Sequence, residues 1–496
     1  MSRTQLVAAA LAAALVPQEQ AKPAFVDPKP PAVAPAPPTP APEARSYSEL
    51  TFHRAPKPRA AGAIDEDWPT FLGPRRDGHT RETGLAAQFS EHGPPLVWEM
   101  SAGSGFASPV VTALDGGRPR RLVFTHRIAQ EIHVDCLDPE SGQRYWRFSY
   151  PTEYRDRYIP NDGPRSTPVI AGGRVFVHGV ENDFFCLDLA SGSVLWKRDL
   201  AQEFSVPLDF FGAVASPLVV GELVIQNLGA PNGPCVAAFD GASGKLVWGA
   251  GKQWGASCAS PVLGSVRGRE RLFVLAGGES RPPTGGLMVL DPASGALEFE
   301  YPFRSKTVES VTGSSPVLAG DKVFMSSSYG KGSACLAAKE DGSFSELWTE
   351  RGLGLQFSTA LYEQGHLWMI DGVADRAGAL VCLDPATGKE RSRTDLVWEE
   401  TFELGGVKRT LTYTVGEGSL LHAEGRFLCL GDNGHLLWID ATPERATIGS
   451  RAALFRANET WTPPVVSHGL LYVRQTKRAL HGAAPPRLLC YDLRAP

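Results

Sequence analysis

The sequence predicts an all-β protein, an eight-bladed β-propeller of four-stranded antiparallel blades. An N-terminal strand is expected to complete the last blade. Three observations predict this. One turn phrase recurs through most of the chain at a period of roughly 50 residues. A second phrase, Ser-Pro-Val or a variant, stands upstream of each copy. A Trp-bearing strand phrase near the start matches what the final copy lacks.

The turn phrase is an apolar pair, Asp, two residues, Ser or Thr, Gly, three residues and Trp. Its full form is Cys136-Leu137-Asp138, Ser141-Gly142, Trp146. The second and third copies are Cys186-Leu187-Asp188, Ser191-Gly192, Trp196 and Ala238-Phe239-Asp240, Ser243-Gly244, Trp248. The fourth, Val289-Leu290-Asp291, Ser294-Gly295, has Phe299 in place of Trp. The fifth is degenerate, with Cys335-Leu336-Ala337, Gly342 and Trp348, and the sixth, Cys382-Leu383-Asp384, Thr387-Gly388, has no Trp. Trp438-Ile439-Asp440 and Cys490-Tyr491-Asp492 are the remnants of the seventh and eighth. Asp followed by Ser/Thr-Gly is turn chemistry, because Asp bonds nearby amides and Gly takes the positive φ that closes a hairpin. These Asp are therefore read as structural, and the Trp as packing between sheets.

The upstream phrase reads Ser108-Pro109-Val110, Thr167-Pro168-Val169, Ser216-Pro217-Leu218, Ser260-Pro261-Val262 and Ser315-Pro316-Val317. Weaker versions follow at Ser358-Thr359-Ala360, Gly418-Ser419-Leu420 and Thr462-Pro463-Pro464. Between the phrases lie β-rich runs such as Val175 to His178 and Val323 to Ser326. Each copy thus holds four short strands, the pattern of a propeller blade. The eighth copy reaches Pro496 without its last strand, and Leu96-Val97-Trp98 matches Val194-Leu195-Trp196, which gives a closed ring without an open edge. Residues Val397 to Val415 read as an inserted hairpin.

Three regions are expected: a signal peptide over 1–21, a Pro/Ala-rich disordered tether over 22–62 and the propeller over 63–496. Arg3 and the apolar run Leu6 to Val16 have the form of an export signal. The run is shorter than the ~20 residues a membrane-spanning helix needs. The protein is expected to be exported, periplasmic or extracellular, with no transmembrane segment. The 49 basic and 54 acidic residues leave a net charge of −5, which excludes an electrostatic case for nucleic acid. A monomer is expected.

The repeat resembles the pyrroloquinoline-quinone-binding-like (PQQ-like) propeller repeat from about Trp98 to Leu493. The leader Trp68-Pro69-Thr70-Phe71-Leu72-Gly73-Pro74-Arg75-Arg76-Asp77-Gly78 is similar to the opening of bacterial exported proteins of that group, many without an assigned reaction. The resemblance implies quinoprotein alcohol dehydrogenases on one side and an outer-membrane assembly propeller on the other. Against the enzyme, none of the eight Cys is adjacent to another, and no Cys-x-x-Cys-His is present. Asn161-Asp162, Glu181-Asn182-Asp183 and Asp371 are separate calcium candidates that no motif joins. No catalytic residue and no metal site is assigned. No cofactor is expected; PQQ with calcium belongs to the alternative reading, a dehydrogenase of alcohols or sugars.

The eight Cys carry their own expectation. Cys136, Cys186, Cys335, Cys382 and Cys490 share one repeat position in separate blades, too far apart for disulfides, whose Cα atoms must lie within ~7 Å. Only Cys235 and Cys258 are worth checking as a pair. His126 and His178 are read as structural. A ligand site is expected on the axial loop face, from Arg127, Glu181, Trp254, Glu279, Arg281, Lys331, Asp371, Asp375, Trp461 and Arg474. Such a face suits a protein partner or a small polar ligand, held by a binding or scaffolding module without catalysis.

Overall fold

The computed structural model describes residues 25–28, 42–90, 92–114, 119–158, 161–372, 377–404, 407–480 and 484–495. Short alternating apolar runs separated by turn residues fold here into eight antiparallel sheets arranged as a propeller. The edge of the last sheet begins with β1 (Leu50–Phe52) and β2 (Leu96–Ser101). The first blade consists of β3 (Val110–Ala113), β4 (Arg120–Ile128), β5 (Glu131–Leu137) and β6 (Arg144–Pro151). The later blades repeat this plan, from Val169–Ala171 at the inner edge of the second to Arg487–Asp492 in the eighth.

The ring closes as the sequence predicts. β2 pairs with Arg487–Asp492, setting Trp98 opposite Cys490, as Trp146 stands opposite Cys136 and Trp196 opposite Cys186. β1 then adds a fifth strand to this sheet. That strand lies inside the stretch expected to run free over 22–62, and from residue 42 onward this stretch instead lies on the propeller. The Tyr47 hydroxyl donates to the Gly142 carbonyl at 3.0 Å, and Arg45 bridges Arg144 through the backbone. Upstream, Asp27 pairs with the buried Arg198 at 2.6 Å. Proline richness does not prevent docking where an exposed edge such as β2 offers unpaired amides. The stretch 1–21, where a signal peptide is expected, lies outside the described residues.

Two joints hold neighbouring blades together, and they explain the two repeated phrases. At the periphery, the Trp indole of one blade donates to a carbonyl in the turn of the next. Trp98 reaches Pro139, Trp146 reaches Leu189 and Trp196 reaches Gly241, each at 3.0 Å. Trp248 and Trp348 do the same to Pro292 and Pro385. Within the turn, Asp138 Oδ1 accepts from the amides of Glu140 and Ser141 and from the Ser141 hydroxyl. Gly142 has φ 73°, and a Cβ there would stand 2.8 Å from the Trp98 ring, so the turn glycine is the seat of the indole.

At the axis, the amide of each Ser-Pro serine or threonine donates to the hydroxyl of its counterpart in the next blade. The series runs Ser108 to Thr167 (3.1 Å), Thr167 to Ser216 (2.9 Å), Ser216 to Ser260 (3.0 Å), Ser260 to Ser315 (3.2 Å) and Ser315 to Thr359 (3.1 Å). The series ends where the phrase weakens, at Gly418 and Thr462. The predicted hairpin is present as paired strands Val397–Leu404 and Val407–Thr414. All eight cysteines are free, including Cys235 and Cys258, and the five at the repeat position are buried.

Candidate functional site

The leader forms a strap under the ring. Trp68 exchanges two backbone hydrogen bonds with Val111 in the first blade, both 2.8 Å, and the Pro69 carbonyl accepts from Ile170 in the second. Arg76 donates to the Val219 carbonyl in the third at 3.1 Å. Gly78 and Thr80 then flank His422 in the seventh, each through a 2.9 Å backbone bond. The strap is pinned by Glu82, fully buried, whose carboxylate accepts from the amides of Glu66, His468 and Gly469. Phe71 rises from it and, with Thr70, Leu72 and Arg76, lies against Ser216, Ser260 and Ser315 of the axial series. The axis is therefore closed from this side.

Above Phe71 lies a cavity of about 100 Å³. Its wall takes residues from the segments that precede the innermost strands of every blade except the seventh: Phe106, Arg165, Phe211 with Val214, Cys258, Val311, Phe357, and Trp461 with Pro463. Trp461 sits between Phe106 and Phe357, with ring centroids 5.5 and 4.5 Å away. A side chamber continues past Phe211 and Cys258 to Asn182, Asp209, Asn227, Glu279 and Arg304. Tyr158 stands edge-on over Phe210 and Phe211 and is 56% exposed; Leu208 and Tyr329 are 42% and 41% exposed. Tyr158 thus presents an exposed ring beside the cavity wall at Phe211.

The polar groups of this face are strained electrostatically. Burial and the charge of Glu279 raise Asp209 to about 6, against the Glu279 amide, which donates to its Oδ2 at 3.2 Å. Burial and then Asp432 raise Glu417, just before the inner strand of the seventh blade, to about 7. Burial lifts the Cys258 thiol, which lines both cavities, to about 12. Arg165 is held by the Asp156 carboxylate and donates to the carbonyls of Asn161 and Phe211. Arg304 donates to the carbonyls of Ser310, Gly278 and Val308.

The residues expected from sequence do not form one constellation. Trp461 lines the axial cavity and Glu279 the side chamber, where Glu279 meets Arg157 at 3.2 Å. Arg281, its side chain 77% exposed, and Lys331, over the Phe303 ring at 4.5 Å, stand outside both cavities. Glu181 accepts from the Thr152 hydroxyl at 2.5 Å, and the Trp254 amide donates to Cys235 Sγ. Arg127, Asp371 and Arg474 are buried. Arg127 donates to the Ala129, Tyr154 and Asp162 carbonyls, Asp371 pairs with Arg393 at 2.8 Å, and Arg474 donates to the Gly103 carbonyl over the Phe124 ring. Asp375 lies outside the described residues. Of the two histidines read as structural, His126 is buried with Nε2 2.9 Å from Asp135 Oδ2, whereas His178, Nε2 3.2 Å from Asn182 Oδ1, lines the side chamber. Phe106 and Phe357 escaped sequence reading, since no phrase marks them; the loop Asp209 to Phe211 is legible as part of the axial face, and Phe71 only as part of the leader.

Blades joined by Ser-Pro and Asp-Gly-Trp contacts in a closed eight-fold ring define a PQQ-like propeller. The family model described as outer membrane protein assembly factor BamB matches residues 130–394, more than half of the chain, and the chain belongs to that family. Among solved structures it is similar to a europium-containing methanol dehydrogenase, at 11% identity over 86% of this chain and 98% of that one, with a TM-score of 0.60. It is also similar to quinohemoprotein alcohol dehydrogenase from Comamonas testosteroni (12%, 88% and 82%, 0.56). BamB from Moraxella catarrhalis is a third (14%, 80% and 99%, 0.50). These likenesses show the fold. No curated protein matches the chain by sequence.

The dehydrogenase fold raises the question of whether this face fits a quinone. Pyrroloquinoline quinone carries three carboxylates and needs cations turned toward it. Of the cavity-lining guanidiniums, Arg165 is committed to Asp156 and two carbonyls, and Arg304 spends both terminal nitrogens on carbonyls. The calcium candidates do not gather either. Asp371 is taken by Arg393, Asp183 by Lys197, and Asp162 accepts from the Asp156 amide. The donor set does not fit the quinone with its calcium.

Proposed function

We propose that this protein is an exported binding or scaffolding propeller whose axial mouth takes an apolar side chain of a protein partner. The observation that carries this reading is the cavity walled by Phe106, Phe211, Phe357 and Trp461, with the exposed Tyr158 ring edge-on to Phe211 and the exposed Tyr329 bonded to Gln356, next to Phe357. Aromatic pockets of this kind anchor protein interfaces, because a buried ring recovers large area at low entropic cost. Export is supported by Arg3 and the apolar run that follows, and no described helix is long and apolar enough to cross a membrane. The family description, an outer membrane protein assembly factor, supports a protein as the ligand.

The test is a photo-crosslinking residue placed at Tyr158 or Tyr329 in cells of the host. Discrete protein adducts are expected from both positions, and Phe357→Ala with Trp461→Ala should abolish them while leaving the fold intact. Adducts that survive the double substitution would remove the cavity from the reading. The dehydrogenase alternative has its own measurement. Adding PQQ and calcium should neither quench tryptophan fluorescence at the axis nor support dye reduction with alcohols or sugars.

A further inference from the structure

We propose that His79, Glu363 and His422 form a divalent metal site, of the transition-metal class that prefers imidazole, which clips the strap to the sixth and seventh blades. The three side chains come from distant parts of the chain. His79 is on the strap, Glu363 ends the inner strand Leu361–Glu363 of the sixth blade, and His422 is on Ser419–Ala423 of the seventh. One ligand atom from each lies within 4.8 Å of the others, the only such group of three among the described residues. His79 Nε2 is 3.1 Å and His422 Nδ1 is 3.8 Å from the same Glu363 oxygen.

The hydrogen bonding of His79 argues for a cation. Its Nδ1 is 2.8 Å from the Asp77 carbonyl oxygen, which can only accept, so Nδ1 carries the proton. In the neutral ring, Nε2 then points a lone pair at an anionic carboxylate 3.1 Å away. Two acceptors at that distance require a positive charge between them, either a second proton on His79 or a metal ion. His422 supplies a second nitrogen at the same oxygen, its ring centroid 5.0 Å from that of His79. Two imidazoles and a carboxylate are a ligand set for zinc and its neighbours. Ligand bonds of ~2.0–2.2 Å separate tetrahedral donors by roughly 3.3–3.5 Å, so the 3.1 and 3.8 Å spacings about Glu363 need only small side-chain shifts. The Asp77 carbonyl fixes the tautomer that leaves Nε2 free to ligate, the usual outer-shell arrangement for a metal-bound histidine.

The backbone presents the ligands in advance. His422 is hydrogen-bonded to the strap on both sides, through Gly78 and Thr80, which holds the two imidazoles side by side. The side chains of His79, His422 and Glu363 are 13%, 12% and 25% exposed, so an ion can reach them from solvent. Because the same strap carries Phe71 into the axis, the ion also anchors the floor of the axial cavity. The site lies across the ring from the axial mouth and stands independently of what that mouth binds.

The experiment is a calorimetric titration of untagged, chelator-treated full-length protein with zinc chloride. One equivalent is expected to bind, with Glu363→Gln and His422→Ala each weakening it by roughly tenfold or more. Zinc is expected to slow tryptic cleavage after the exposed Arg81, and Glu363→Gln, which keeps the side chain's shape, should remove that protection. Cobalt(II) should give visible absorption bands that vanish in His79→Ala. Absence of zinc binding to the wild-type chain, or binding of equal affinity in Glu363→Gln with its near-UV circular dichroism unchanged, would overturn the site.

Discussion

The periphery and the axis of this ring are built from opposite materials. At the periphery, turn and indole satisfy each other: Asp138 takes three hydrogen bonds through one oxygen, and Trp98 finds the Pro139 carbonyl while filling the space above Gly142. At the axis, Asp209 and Glu417 are carboxyls that burial pushes toward neutrality, and Arg304 Nε in the side chamber finds no protein partner. Satisfied groups specify a fold, whereas unsatisfied buried polar groups are tolerated chiefly where something else is to be bound. The difference teaches where to look for function, and each prediction below changes one side of it.

The largest effect belongs to the joint that closes the ring. Trp98 is fully buried and bridges the last blade to the first. Trp98→Ala should destabilise the protein by about 3–5 kcal/mol in denaturant unfolding, the range for a fully buried aromatic. Trp348→Ala removes the same joint between the fifth and sixth blades, but that indole is only partly buried, and its cost should be smaller. Equal costs would mean that closure adds nothing to an ordinary joint.

The axial carboxyls come next. Asp209 and Glu417 have folded values of about 6 and about 7, above their unfolded values, so folding favours their protonated forms. The stability they contribute is fully present below the unfolded values, near pH 4, and is lost as pH rises through about 6 and about 7. Asp209→Asn and Glu417→Gln should therefore each stabilise the protein at neutral pH, by roughly 1–3 kcal/mol, and flatten its stability between pH 4 and 7. Thermal melts across that range test this; variants less stable than the parent at pH 7.5 would show that the fold favours the ionised carboxylates.

This contrast also explains what was legible in the sequence. The peripheral joint couples two residues per blade, so selection leaves a phrase. The coupling crosses blades: Trp98, Trp146, Trp196, Trp248 and Trp348 each precede a blade with an intact turn. Phe299, Ser392 and Ser450 stand in the Trp position before the three blades whose turns have decayed. The axial serine series leaves its phrase for the same reason. The axial cavity leaves none, because Phe106, Phe211 and Phe357 come from loops of unrelated length, and the strap histidine meets Glu363 across 284 residues. Arg127 and Arg474 read as loop-facing because they stand near the ends of second strands, yet their guanidiniums turn inward to serve carbonyls.

The smallest expected effect is the most discriminating. Asp138→Ala should cost about 1–2 kcal/mol, since three donors lose their acceptor in a partly exposed turn. The converse change, Ala337→Asp, writes the missing Asp back into the fifth blade, and should alter stability by less than about 0.5 kcal/mol. The fifth turn is a different structure. Its Trp348 follows Cys335 after a longer loop, Lys339 and Ser343 close it, and Asp341 already accepts from the Ser343 amide at 2.9 Å. Phe299 of the preceding blade packs on Phe344 at 5.2 Å and seats no indole on a glycine. A new carboxylate at 337 would therefore meet none of the amides that make Asp138 worth having. Differential scanning calorimetry of the two single variants decides the matter: a clear gain from Ala337→Asp would mean that the Asp stabilises its turn alone, and that turn and Trp are not one unit.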